Sequence, residues 1–185
     1  MRGGSRWLAR LVLACLPFFP LPADAQETYS EQQVKAAFLY RFLGFVEWPA
    51  EAFVEASAPI VVSVVGEPAL AAILQDIVRG RTVNGHPVSV RAVHAREPIE
   101  GSHVVFVSAD AGAAAGSMLK HAAELGILTI TDTPDGLERG SMINFVTHER
   151  NVRFEVALDT VERAGLRLSS RLLGVAVRVR RGPPR

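Results

Sequence analysis

Cysteine is nearly absent. The 185-residue chain has one, Cys15, and it lies in the first 25 residues. Without that stretch the chain can form no disulfide, hold no thiolate-bound metal and use no cysteine nucleophile. Catalytic motifs are missing as well. There is no HExxH, no lysine-bearing phosphate loop, no G-x-G-x-x-G and no G-x-S-x-G elbow. The five histidines, His86, His94, His103, His121 and His148, show no metal-ligand spacing and read as scattered surface or strand-edge residues. Ser141 follows Gly140 but precedes a strand, where a nucleophile elbow needs a helix. Neither charge sign predominates, with 20 basic and 19 acidic residues, so nucleic-acid binding, which rests on neutralising many phosphates, is not expected. Neither a cofactor nor a metal is implied, and an enzyme is not expected.

The N-terminus supplies a positive pattern. Arg2, Arg6 and Arg10 precede an apolar run from Leu11 to Leu21, and Ala23-Asp24-Ala25 offers the small-x-small exit of a secretory leader. The run is too short for a bilayer span of about 20 residues, and Pro17, Pro20 and Pro22 oppose a spanning helix. Residues 1–25 are therefore expected to be a cleavable signal peptide. The alternative, lipid attachment at Cys15 after Val12-Leu13-Ala14, would leave Leu16 to Leu21 as an apolar start. Cleavage after Ala25 leaves 17 basic and 18 acidic residues, a net charge of −1. The remaining 160 residues are enough for one domain with a core of its own.

Ser30 and Gln33 form a capping box ahead of a helix expected over Glu31 to Val46. Val34, Ala37, Phe38, Phe42 and Phe45 recur at helical spacing, and Leu39, Leu43 and Val46 widen that face. The helix is thus expected to be largely buried, ending at Trp48-Pro49. The β-branched run Pro59 to Gly66 reads as a buried strand, and Pro68 opens a helix to about Arg79. Gly66 sits where α/β sheets often bind ligands, although a tight turn is the simpler reading. Thr82-Val83 and Pro87 to Val93 flank an Asn84-Gly85 hairpin turn. Short strands follow at Val104 to Val107 and Leu128 to Thr131, around a helix at 111–125. Met142 to Thr147 and Val152 to Val156 read as an antiparallel hairpin. Helices are expected at 158–164 and 170–177, and the basic tail Arg178 to Arg185 is expected to be frayed. The architecture expected is a single three-layer α/β sandwich over residues 26–177. Its mixed, mostly parallel sheet ends in a C-terminal antiparallel hairpin and carries flanking helices.

Asn144 lies between Ile143 and Phe145 in an apolar strand, so its amide must find partners. Arg153 and Glu155 share one face of the next strand, and Arg171 opens the last helix. These residues read as a polar seam joining hairpin and helix, or as a binding site. With Trp48, Asn144 and Arg153 define the candidate pocket of a periplasmic small-ligand sensor, Trp and Arg suiting an aromatic or anionic ligand. Asp132 and Asp135 around Thr133-Pro134, ending at Gly136, are explained by turn chemistry. An acid–base carboxylate pair is the less favoured reading.

Four blocks carry a resemblance. They are Val34-Lys35-Ala36-Ala37-Phe38-Leu39-Tyr40-Arg41-Phe42 with Phe45-Val46-Glu47-Trp48-Pro49; Gly140-Ser141-Met142-Ile143-Asn144-Phe145-Val146; Val152-Arg153-Phe154-Glu155-Val156-Ala157-Leu158-Asp159; and Ala164-Gly165-Leu166-Arg167-Leu168-Ser169-Ser170-Arg171-Leu172-Leu173. In this order they resemble the YfiR-like periplasmic proteins across nearly the whole mature chain. The resemblance implies a non-enzymatic α/β regulator. The founding member represses an inner-membrane diguanylate cyclase through its periplasmic domain, and an outer-membrane lipoprotein relieves that repression. The implied partners are therefore a membrane-anchored signalling protein and an outer-membrane lipoprotein, with control of cyclic-di-GMP and biofilm formation. Homodimerisation is also implied. The founding member's redox-linked disulfides have no counterpart here. The contact surface is expected on exposed parts of the hairpin and the last helix.

Overall fold

The computed structural model describes residues 30–55 and 57–182. The expected signal peptide and Cys15 lie outside the described residues. Helix α1 (Glu31–Leu43) starts on the expected capping box: the Ser30 hydroxyl accepts from Gln33 N, and the Gln33 side chain accepts from Ser30 N. It stops at Leu43, short of Val46, because Gly44 caps it and the next residues leave the helix. Val46–Glu47 instead form strand β1, paired antiparallel with β9 (Arg167–Leu168) in a small second sheet.

The main sheet has eight strands. β2 (Ile60–Val65) leads through helix α2 (Pro68–Val78) to the hairpin β3 (Thr82–Val83) and β4 (His86–Val93). Asn84 and Gly85 both take positive φ, as the two-residue turn requires. β5 (Val104–Val107) runs through a 3-10 turn (Ala109–Ala114) and helix α3 (Ala115–Glu124) to β6 (Leu128–Thr131). β7 (Ile143–His148) and β8 (Asn151–Ala157) form the expected antiparallel hairpin, turning at Glu149 and Arg150 with positive φ. Helices α4 (Leu158–Arg163) and α5 (Ser170–Leu173) and strand β10 (Arg178–Arg180) complete the described chain.

The strand order is β10-β8-β7-β6-β5-β2-β4-β3. Strands β4, β2, β5, β6 and β7 are mutually parallel. From β2 the chain steps outward to β4 and then returns to the other side for β5, so the two crossover helices lie on opposite faces. One core contains Val62, Val64, Val104 and Phe106 under α1 and α2; the other contains Val65, Val105 and Val107 with Met118 and Leu119 of α3. Alternate residues of β5 serve both cores, which is why that strand reads as an unbroken apolar run. The mixed three-layer α/β architecture is as expected.

Two C-terminal expectations are corrected. The helix expected over 170–177 ends at Leu173, where Gly174 caps it. The tail expected to fray begins with an ordered strand, since β10 lies parallel to β8 with Arg178 opposite Glu155. No helix among the described residues is long and apolar enough to cross a membrane.

Candidate functional site

Strand register places one polar residue on each of four neighbouring strands in a single row. Thr131 of β6 faces Asn144 of β7, Asn144 faces Glu155 of β8, and Glu155 faces Arg178 of β10. Thr131 Oγ1 donates to Asn144 Oδ1 at 2.7 Å, and Asn144 Nδ2 donates to Glu155 Oε1 at 3.2 Å. Arg178 Nε donates to Glu155 Oε2 at 2.7 Å. Thr131, Asn144 and Glu155 are buried. A buried carboxyl group must be paired and hydrogen-bonded, and Glu155 has Arg178 on one oxygen and Asn144 on the other. Its arginine holds Glu138 on the other side, at 3.5 Å, and the Glu155 partnership raises the Arg178 pKa.

A second cluster meets this row at the carboxyl end of β6. Lys35, on the first helix, reaches Asp132 Oδ2 at 2.6 Å and Glu31 Oε1 at 2.7 Å. Asp132 Oδ1 accepts from Ala109 N at 2.8 Å, which ties β6 to the segment after β5. Burial alone would lower the Lys35 pKa, but hydrogen bonds to Asp132 and Glu31 outweigh it and the pKa is raised. Nearby, burial raises the Glu67 pKa; Gln32 Nε2 donates to its Oε1 at 3.0 Å, while Oε2 is buried without a partner. Between row and cluster lies a crevice of about 300 Å³ whose polar lining includes Glu31, Lys35, Asp132, Asp135, Asn144 and Glu155. Thr133 also lines it, and its Oγ1 is buried with no partner.

The YfiR/HmsC-like family profile matches residues 32–177, from the first turn of α1 to the residue before β10. The chain belongs to the YfiR/HmsC-like family. No curated protein is detectably similar to it in sequence. Among solved structures it is similar to a conserved domain protein from Vibrio cholerae O1 biovar El Tor, at 12% identity and a TM-score of 0.57. That likeness covers 82% of this chain but only 60% of the Vibrio chain, and it is one of fold. Membership in the YfiR/HmsC-like family fits a periplasmic regulatory role.

The blocks that carry the YfiR-like resemblance meet in space. Phe38 and Phe42 from the first block pack on Phe145 from the second and Phe154 from the third, with ring centroids 4.9–6.0 Å apart. The fourth block supplies β9, which pairs with β1 of the first. The widely separated blocks are thus the inner wall of one aromatic core.

Of the residues singled out in the sequence, the fold brings Asn144 and Glu155 together at the crevice. Arg153 is exposed on β8, opposite Val146, and Arg171 is exposed on α5, where its backbone N–H meets the Ser169 cap. Neither contributes to the row, so the seam expected between hairpin and last helix does not form through them; the arginine that pairs with Glu155 is Arg178. Trp48 lies elsewhere. It packs edge-on against Phe53 and His103, lines a separate cleft of about 250 Å³, and keeps its Nε1 buried without a partner. His103 is fixed between two backbone groups: Nδ1 accepts from Val61 N at 3.1 Å, so the proton sits on Nε2, which donates to Ala52 O at 3.0 Å. Phe53 stacks between His103 and His86, at 4.6 and 4.1 Å. Sequence reasoning missed Lys35, Thr131 and Arg178, and read Asp132 and Asp135, which both line the crevice, as turn residues. The one available signal was that the Asn144 amide required partners.

Proposed function

We propose that this chain is a periplasmic regulatory binding protein that represses a membrane-anchored signalling protein, a diguanylate cyclase, by binding its periplasmic domain. The observation that carries this reading is the YfiR/HmsC-like match over residues 32–177, which spans both cores and the candidate site apart from Glu31 and Arg178 at its two ends. The site chemistry supports binding over catalysis. Lys35 is engaged by two carboxylates, and Glu155 by Arg178 and Asn144. Repression follows if the protein has higher affinity for the partner's inactive state than for its active one.

Export follows from the leader-like residues 1–25. The tagged full-length protein, purified from solubilised membranes of the organism that encodes it, is expected to retain an integral membrane protein with a cytoplasmic cyclase domain. Retention of no membrane protein would sink this reading. A second reading, a periplasmic small-ligand sensor, is favoured by Thr133 Oγ1, a buried hydroxyl without a partner in the crevice wall. A thermal shift produced by a small molecule and abolished by Thr133→Val would support it.

A further inference from the structure

We propose that the groove between α1 and α2 is the docking surface for a partner segment that presents protruding apolar side chains beside a carboxylate. This rests on the regulatory reading above. Helix α1 carries one wide apolar face, bordered by exposed Glu31, Gln33 and Arg41. Ala36, Leu39, Phe42 and Leu43 are buried in the core, while Ala37 is exposed and Val34 and Phe38 are half-buried. Those last three carry the periodicity that predicts burial; Phe38 packs on Phe42, Phe145 and Phe154 in the aromatic core, yet together with Val34 and Ala37 it also lines the groove and keeps exposed surface there. Across from them, α2 contributes the half-buried Ile73 and Ile77, and the groove between measures about 650 Å³. An apolar face wider than the core beneath it covers is a surface that an interface can take up.

The rim charges select the occupant. Arg41 lines the groove, and its guanidinium has no side-chain partner among the described residues. The acidic rim residue, Asp76, is already paired with Arg79. The charge left to be met is therefore positive, and a carboxylate meets it. A second copy of this chain fits poorly, because groove against groove leaves both hollow. An apolar ridge on a different protein fills the space, as amphipathic segments fill grooves between helices.

The test places a photo-crosslinking amino acid at position 37 of the full-length protein in the organism that encodes it. The expected adduct joins a membrane-anchored protein through a segment carrying apolar residues and an Asp or Glu. Arg41→Glu, at an exposed position and with an unchanged thermal midpoint, is expected to lower adduct yield at least about tenfold, and reversing the mapped carboxylate to Arg to restore it. An adduct between two copies of this chain, or one indifferent to Arg41→Glu, overturns the proposal. A partner retained in purification but never crosslinked from position 37 overturns the groove and leaves the regulatory reading standing. Absence of a partner by both routes overturns both.

Discussion

At Gly136 a side chain would overlap Asn144 Oδ1 and Thr131 Oγ1. The loop from β6 to β7 lies directly on the polar row there, and the glycine is needed for close approach. Gly136→Ala must displace two buried groups that bond each other, an overpacking expected to cost about 1–3 kcal/mol. Urea denaturation checks this, and an unchanged midpoint would mean that the loop does not press on the row. His103 makes a second residue-level prediction. Burial lowers its pKa, with His86 adding to the effect, and both ring nitrogens are engaged only in the neutral form. The unfolded chain then binds more protons near the ordinary value of 6.5, so stability is full above that pH and declines as pH falls through it. Thermal melting between pH 7.5 and 5 is expected to show this decline in the native protein and a flatter profile in His103→Gln. Parallel profiles would contradict it.

Elements with strong periodicity were legible before the structure. The runs Ile60–Val65, Val104–Val107 and Leu128–Thr131 form the parallel strands, and the Asn84-Gly85 turn forms its hairpin. The short elements were not. β1, β9 and β10 have two or three residues each, too few to show a period, and each exists because a distant strand offers it an edge. The β10 strand also draws order from charge. Arg178 pairs with the buried Glu155, and Arg180 reaches Asp159 and donates to Leu137 O. Burial would raise the Asp159 pKa, but Arg180 and Arg163 outweigh it and hold the pKa low. A chain ending at Val177 leaves Glu155 without its cation and is expected to lose about 1–3 kcal/mol, the cost of stripping a partner from a buried acceptor. Arg178→Ala should reproduce part of that loss. Equal denaturation midpoints for the truncated and full-length chains would show that β10 contributes nothing.

At the scale of the molecule, the sheet was readable from patterning but the site was not, because the site is made by register. Asn144 stands out as a polar residue in an apolar strand, while the alternation of β8 groups Glu155 with the exposed Arg153. Nothing in the linear sequence aligns them with Thr131 on one side and Arg178 on the other. Lys35 and Asp132 are 97 residues apart and meet only because α1 packs over the carboxyl ends of the strands. The aromatic core shows the converse. Its four phenylalanines lie in the blocks that carry the family resemblance, so there the local pattern and the tertiary contact coincide. The most direct measurement is the intracellular cyclic-di-GMP level in a strain lacking this gene, beside the same strain complemented with the full-length gene. Repression of a membrane-bound cyclase predicts a several-fold rise on deletion and a return on complementation. A level that stays the same, or falls, would contradict it.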